Sequence, residues 1–239
     1  MTTIVLVHGA WTGSYVWHGV RALLRADGHE VFTPTLTGLG ERVHLARPDT
    51  DLDTHVQDVG NLLRFEDLKD VVLAGHSYGG VVAQLAADRS PRRVAHLVLL
   101  DSLLARDGHC VQDLRRHPAP SGTRGIAPPR FRDVDPARLA RLLPAVRLSL
   151  QPPRTFLQPM ALSAPVEERP FHRTYVRAAR RSPSAPYEEA AAFTREHPAW
   201  HCTDVDSGHD MMTDRPRDVA DVLGATPGQA ARLSCRRAR

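Results

Sequence analysis

The stretch from Val71 to Ala87 constrains this chain more than any other. It opens with a short, unbroken, largely β-branched run, Val71-Val72-Leu73-Ala74, which reads as a buried strand. It closes with Val81-Val82-Ala83-Gln84-Leu85-Ala86-Ala87, rich in alanine and free of breakers, which reads as a buried helix. Between them lies only Gly75-His76-Ser77-Tyr78-Gly79-Gly80. A strand that turns at once into a helix must bend sharply, and its central residue is held in a strained conformation. Gly75 and Gly79 leave room for the close backbone crossing. The Ser77 hydroxyl is then lifted above the end of the sheet, beside the first amides of the helix. Ser77 is the candidate nucleophile.

The rest of the chain supplies a frame for such a turn. Thr3 to Val7 is a first buried strand, ending in His8-Gly9-Ala10-Trp11. A glycine directly after a central strand lets the backbone approach a ligand, and this segment can offer an amide opposite that of Tyr78. Tyr15 to Ala26 reads as an amphipathic helix closed by Gly28, and Glu30 to Thr35 as a second strand. Gly38-Leu39-Gly40-Glu41-Arg42 reads as a flexible loop; it lacks the third glycine and the following helix of a dinucleotide site. Thr54 is expected to cap the next helix in a box with Gln57. His55 in its first turn reads as a surface or packing residue. Val94 to Leu100 is a further apolar strand ending in Asp101-Ser102. Strands alternating with helices imply a parallel sheet with ligands at the carboxyl ends of its strands, where Gly9, Ser77 and Asp101 all fall.

Residues 103–170 have a different texture, with eleven of the nineteen prolines and short apolar pieces such as Leu139 to Leu143. So long an insertion between two strands reads as a cap. Its apolar members (Leu103, Leu104, Phe131, Leu142, Leu143, Phe156, Met160, Leu162) could line an acyl or aryl pocket or simply pack the cap onto the body. Its arginines (Arg115, Arg116, Arg124, Arg130, Arg132) raise the question of a carboxylate-bearing substrate. Arg173 to Val176 resumes as a strand, Tyr187 to Glu196 as a helix, and Trp200 to Val205 as the last strand. His209, in Ser207-Gly208-His209-Asp210 just past it, is placed to reach back to Ser77. Pro216 starts a terminal helix over Arg217 to Leu223. The expected organisation is a core of residues 1–102 and 171–224, a cap of 103–170 and a basic tail of 225–239.

Charge and composition exclude several functions. The net charge is only +4, Lys69 is the sole lysine, and no basic stripe is interleaved with aromatics, so no nucleic-acid partner is expected. Cys110, Cys202 and Cys235 have no paired spacing and suggest free thiols in a reducing, cytoplasmic setting. No secretory signal and no stretch of 18 apolar residues is apparent, so no membrane partner is expected. The thirteen histidines lack metal-ligand spacing, so neither metal nor cofactor is expected. A homodimer is compatible with the sequence.

The order strand–His8-Gly9, Gly75-x-Ser77-x-Gly79, then Gly208-His209 resembles the α/β-hydrolase superfamily. More narrowly, the chain is similar to the small esterases grouped with pyrethroid-type esterases, plant methyl-salicylate esterases and hydroxynitrile lyases. The stretches that carry this are His8-Gly9-Ala10-Trp11, Pro34 to Arg42, Leu52 to Val56, Gly75 to Gly80 and Ser207 to Asp210. The resemblance implies an α/β-hydrolase fold, a mostly parallel central sheet flanked by helices with an inserted cap. It implies Ser77 as nucleophile, His209 as general base, and the amides of Ala10 and Tyr78 as the oxyanion hole. Most relatives place the acid just after the strand that here reads Thr174-Tyr175-Val176. Here Arg177-Ala178-Ala179-Arg180-Arg181 follows, with no carboxylate, and Asp101 at the end of the preceding sheet strand is the expected acid. Asp206 and Asp210 lie too near His209 in the chain to reach its inner nitrogen.

The implied activity is hydrolysis of a small apolar or aromatic ester through an acyl-enzyme, with Trp11, Leu103 and Phe156 against the substrate. A thioesterase or acyltransferase, or a non-hydrolytic cyclase or lyase, would use the same scaffold. A lyase is disfavoured, because such lyases carry a threonine and a lysine where this chain has Gly9 and Asp210.

Overall fold

A computed structural model describes residues 1–115, 125–128 and 145–225. The expected pieces at Leu139 to Leu143, together with Phe131, Arg116, Arg124, Arg130, Arg132, Cys235 and positions 226–239 of the tail, lie outside the described residues.

The core is one six-stranded sheet in which every described pairing is parallel. Its strands are β1 (Thr3–Val7), β2 (Glu30–Phe32), β3 (Val71–His76), β4 (Val94–Leu100), β5 (His172–Ala178) and β6 (His201–Val205), in the order β2-β1-β3-β4-β5-β6. A parallel sheet is covered on both faces, which is why its central strands are apolar without alternation. Both cores draw on every second residue. Val5, Val7, Leu73, Leu97 and Leu99 face one layer, and Ile4, Leu6, Ala74, Val98 and Leu100 the other.

The first layer holds α2 (Leu52–Phe65) and α3 (Tyr78–Arg89); the second holds α1 (His18–Ala26) and a C-terminal helix, Pro216–Gly224. The chain lays β2 on one side of β1, then returns to place β3 on the other. The crevice at such a reversal, beyond the carboxyl ends of β1 and β3, is where open α/β sheets bind ligands. His8-Gly9 and Ser77 stand at its two lips.

Two local expectations are corrected. Asp51, not Thr54, caps α2: its side chain accepts from the Thr54 amide at 2.9 Å, while the Thr54 hydroxyl takes the return bond from the Asp51 amide at 3.3 Å. Starting the helix there buries Leu52 to 1 % exposure. The 38–42 loop is pinned rather than flexible. Gly40–Leu45 form a 3-10 turn, Leu39 is fully buried, and Arg42 donates to the Thr35 carbonyl at 2.7 Å.

Candidate active site

The turn around Ser77 is a packing solution that only glycine permits. A Cβ added to Gly75 would lie 2.3 Å from the Gly79 carbonyl oxygen, and one added to Gly79 would lie 2.2 Å from that of His8. The crossing forces Ser77 to φ 54°, a left-handed conformation that a serine adopts only where its surroundings hold it. They do: the Ser77 amide donates to the Leu100 carbonyl at 3.1 Å, and its carbonyl accepts from the Ser102 hydroxyl at 2.8 Å.

The structure brings Ser77, His209 and Asp101 into one hydrogen-bonded chain. His209 Nε2 is 3.1 Å from Ser77 Oγ, and His209 Nδ1 is 2.6 Å from Asp101 Oδ2. Asp101 is 1 % exposed, whereas the His209 side chain is 34 % exposed. Asp101 also sits at positive φ (41°), with its amide tied to the Val176 carbonyl at 2.8 Å, so its carboxylate is fixed by the sheet itself. With Nδ1–H donating to Asp101, Nε2 of a neutral His209 is left to accept from Ser77. Asp206 instead pairs with Arg180 and Arg215 at the surface.

The amides of Ala10 and Tyr78 flank Ser77, and neither has an acceptor among the described residues. Neutral histidines brace the segments that carry them. His8 Nδ1 donates to the Gly9 carbonyl at 2.8 Å, and its Nε2 accepts from the Leu36 amide at 3.0 Å. His55, fully buried and so a packing residue, receives the Tyr78 hydroxyl at 2.7 Å and donates to the Thr37 carbonyl at 2.8 Å. Burial lowers the pKa of each to about 4, against partial compensation by those carbonyls. Burial likewise keeps His76 neutral; its Nε2–H donates to the His209 carbonyl at 2.8 Å, bracing the loop that carries His209.

These residues open onto a cavity of about 660 Å³. Trp11, Leu103 and Phe156 line it, with the Trp11 and Phe156 rings edge to face at 5.9 Å. Leu104, Met160 and Leu162 do not; Met160 is buried in the core. Of the arginines expected over the site, Arg115 is described: its guanidinium carbon lies 5.3 Å from the Trp11 ring centroid and 5.1 Å from that of Phe156.

Three contributors were not apparent in the sequence. Besides His76 they are Arg181 and Tyr187. Arg181 Nε approaches Asp101 Oδ2 to 2.9 Å as an ion pair whose N–H is not aimed along the contact. The Tyr187 hydroxyl is 3.4 Å from Ser77 Oγ. Arg181 closes the run Arg177 to Arg181 that lacks a carboxylate, and nothing in that run aims it at Asp101. Nothing local aims the tyrosine.

The chain belongs to the alpha/beta hydrolase family, whose profile it matches over residues 4–222. It is 33% identical to the carbendazim hydrolyzing esterase of a Nocardioides species, over 94% of this chain and 99% of that one. It is 30% identical to lipase LipV of Mycobacterium tuberculosis, over 94% and 93%. Methylesterase 3 of Arabidopsis thaliana is 33% identical over 44% of this chain and 41% of its own length. Among solved structures, an extracellular α/β-hydrolase from a Paenibacillus species superposes with a TM-score of 0.75, covering 93% of this chain and 98% of that one at 23% identity. At that identity the superposition speaks for the fold. The full-length sequence relatives place the chain among ester hydrolases of this family. No described helix is long and apolar enough to cross a membrane.

Proposed function

We propose that the protein is a serine ester hydrolase working through an acyl-enzyme on a small aromatic or apolar ester. The observation that carries this reading is the Ser77–His209–Asp101 chain, with contacts of 3.1 and 2.6 Å, beside two amides that have no acceptor among the described residues. Ser77 Oγ attacks the ester carbonyl carbon while His209 Nε2 takes its proton. The carbonyl oxygen becomes an oxyanion and meets the amides of Ala10 and Tyr78, reinforced by the positive N-terminus of α3. Asp101 holds the imidazolium in orientation without taking its proton. Collapse expels the alcohol with the proton returned by His209, and water repeats the cycle on the acyl-enzyme.

The walls favour an aromatic or apolar acyl group, since Trp11, Leu103 and Phe156 offer area rather than polar partners. The Nocardioides relative, a carbendazim hydrolyzing esterase matched over 99% of its length, supports ester hydrolysis. A hydroxynitrile-lyase reading loses support at Gly9, where an added Cβ would stand 3.0 Å from His76 Nδ1. A threonine there would displace that ring.

Labelling with a fluorophosphonate probe tests the reading. The wild type should label, Ser77→Ala should not, and His209→Ala and Asp101→Asn should slow labelling by a factor on the order of 10³ or more. A folded wild type that fails to label would mean Ser77 is not activated. Normal labelling of Asp101→Asn would move the acid elsewhere.

A further inference from the structure

Tyr187 lies on the helix Ala185–Glu196, between β5 and β6, and reaches Ser77 from the side opposite the β1 loop. Its ring stands edge-on to His209, centroids 5.4 Å apart at 77°. The Arg181 guanidinium covers the ring at 4.4 Å and ties it to Asp101 on one side and to Glu188 on the other, at 2.9 and 3.4 Å. The phenol is thus fixed relative to both the base and the acid. Among the described residues its hydroxyl has one partner, Ser77 Oγ, at a long 3.4 Å. A buried-side donor held this loosely is poised for something that enters. Desolvation raises the phenol's pKa, so the group stays an O–H donor at neutral pH.

Resting on the ester-hydrolase reading above, we propose that the Tyr187 hydroxyl is a further catalytic group. It donates a hydrogen bond to the departing alcohol oxygen, which suits the site to esters of unactivated, alkyl alcohols. The oxyanion is served from the other side, by Ala10 and Tyr78. The alcohol oxygen must lie where His209 Nε2 can protonate it, and the Tyr187 ring packs against His209 there. As the tetrahedral intermediate collapses, the carbon–oxygen bond breaks and its electron pair stays on the alcohol oxygen. His209 supplies the proton, and Tyr187 keeps its own. An alkyl alcohol oxygen holds the electron pair localised and basic as the bond breaks, whereas para-nitrophenolate spreads it over the ring and leaves without a donor, so the hydrogen bond counts most for alkyl esters.

The test compares wild type and Tyr187→Phe on esters that share one acyl group and differ in the alcohol, from para-nitrophenyl to ethyl. Tyr187→Phe keeps the ring against His209 and Arg181. Its kcat/KM should fall about tenfold for the ethyl ester and less than about twofold for the para-nitrophenyl ester. Tyr187→Leu, which removes ring and hydroxyl together, should show the same steeper dependence on the alcohol on top of a uniform loss. An equal loss on every ester, or no loss, overturns the proposal and leaves the ester-hydrolase reading standing. A wild type that cleaves no ester and does not label overturns both.

Discussion

The two sides of the cleft are held in place by different means. The side that carries Ser77 and the flanking amides is fixed by close backbone packing and by buried hydrogen bonds. Gly79 is packed against the His8 carbonyl, the Ser77 amide is bound to Leu100, and the Tyr78 hydroxyl is buried on His55. The side that carries His209 is assembled from side chains drawn from distant parts of the chain. Asp101 and His209 are 108 residues apart, and Arg181 and Tyr187 come from the turn after β5 and the helix beyond it. The first side therefore has no spare volume, and its geometry is inseparable from the stability of the fold. The second is a set of charges and rings whose removal should alter chemistry more than folding.

The sharpest way to break that contrast is to add one methyl group to the first side. In Gly79→Ala the new Cβ meets the His8 and Val7 carbonyl oxygens at 2.2 and 2.6 Å, both backbone atoms that cannot turn away. Destabilisation of more than about 3 kcal/mol is expected, read by urea denaturation or as loss of soluble folded protein. His209→Ala, on the second side and one-third exposed, should change stability by less than about 1 kcal/mol. If Gly79→Ala were as stable as wild type, the packing account of the turn would be wrong.

Acid offers a second test of the same contrast. His8 and His55 resist protonation in the folded chain down to about 4, whereas the unfolded chain takes up those protons near 6.5. Between those values the unfolded state holds more protons, so each histidine's contribution is intact above 6.5 and is lost as the pH falls towards 4. The loss is on the order of 3 kcal/mol per group. Around His55, Asp58 and Asp51 favour the charged form and Arg42 opposes it; Glu41 favours it at His8, where His55 opposes it. Denaturant midpoints for wild type should fall across this window, and His55→Gln should show a shallower fall from a lower starting stability. A midpoint independent of pH across the window would show that these imidazoles are not held neutral.

The same division explains what the sequence discloses. Ser77 is legible because its geometry follows from neighbours within a dozen residues: a strand, two glycines and a helix. Asp101 and His209 are legible because strand ends in a parallel sheet converge on one crevice. Arg181 and Tyr187 are not, because which ring a guanidinium covers depends on how a helix packs after the chain has crossed the sheet. The cap of α2 shows a smaller ambiguity. Asp51 and Thr54 can each cap a helix, and the choice falls to the burial of Leu52, a tertiary fact. The 38–42 loop reads as flexible from its glycines, yet buried Leu39 and the Arg42–Asp58 ion pair at 3.3 Å hold it.

Gln151 crosses the division and so sharpens it. It belongs to the segment between β4 and β5 but reaches the β1 loop. Its Oε1 accepts the Trp11 amide at 3.1 Å, and its Nε2 donates to the Thr155 hydroxyl at 2.8 Å. Its backbone pairs with Ile126, whose carbonyl also takes the Trp11 indole N–H at 2.9 Å. Trp11 sits at φ 64° directly after Ala10, so the orientation of the Ala10 amide depends on a strained neighbour that Gln151 restrains. Gln151 is fully buried. Gln151→Ala leaves the Trp11 amide without its acceptor and should cost about 2 kcal/mol, a fall in Tm of about 4–8 °C. If the insertion positions the β1 loop to give the oxyanion contact proposed above, kcat for a reactive ester should fall several-fold while KM changes less, because the lost restraint matters most once the oxyanion has formed. A stability loss with kcat unchanged would mean that the β1 loop holds its own shape, and that the backbone-built side of the cleft ends where the insertion begins.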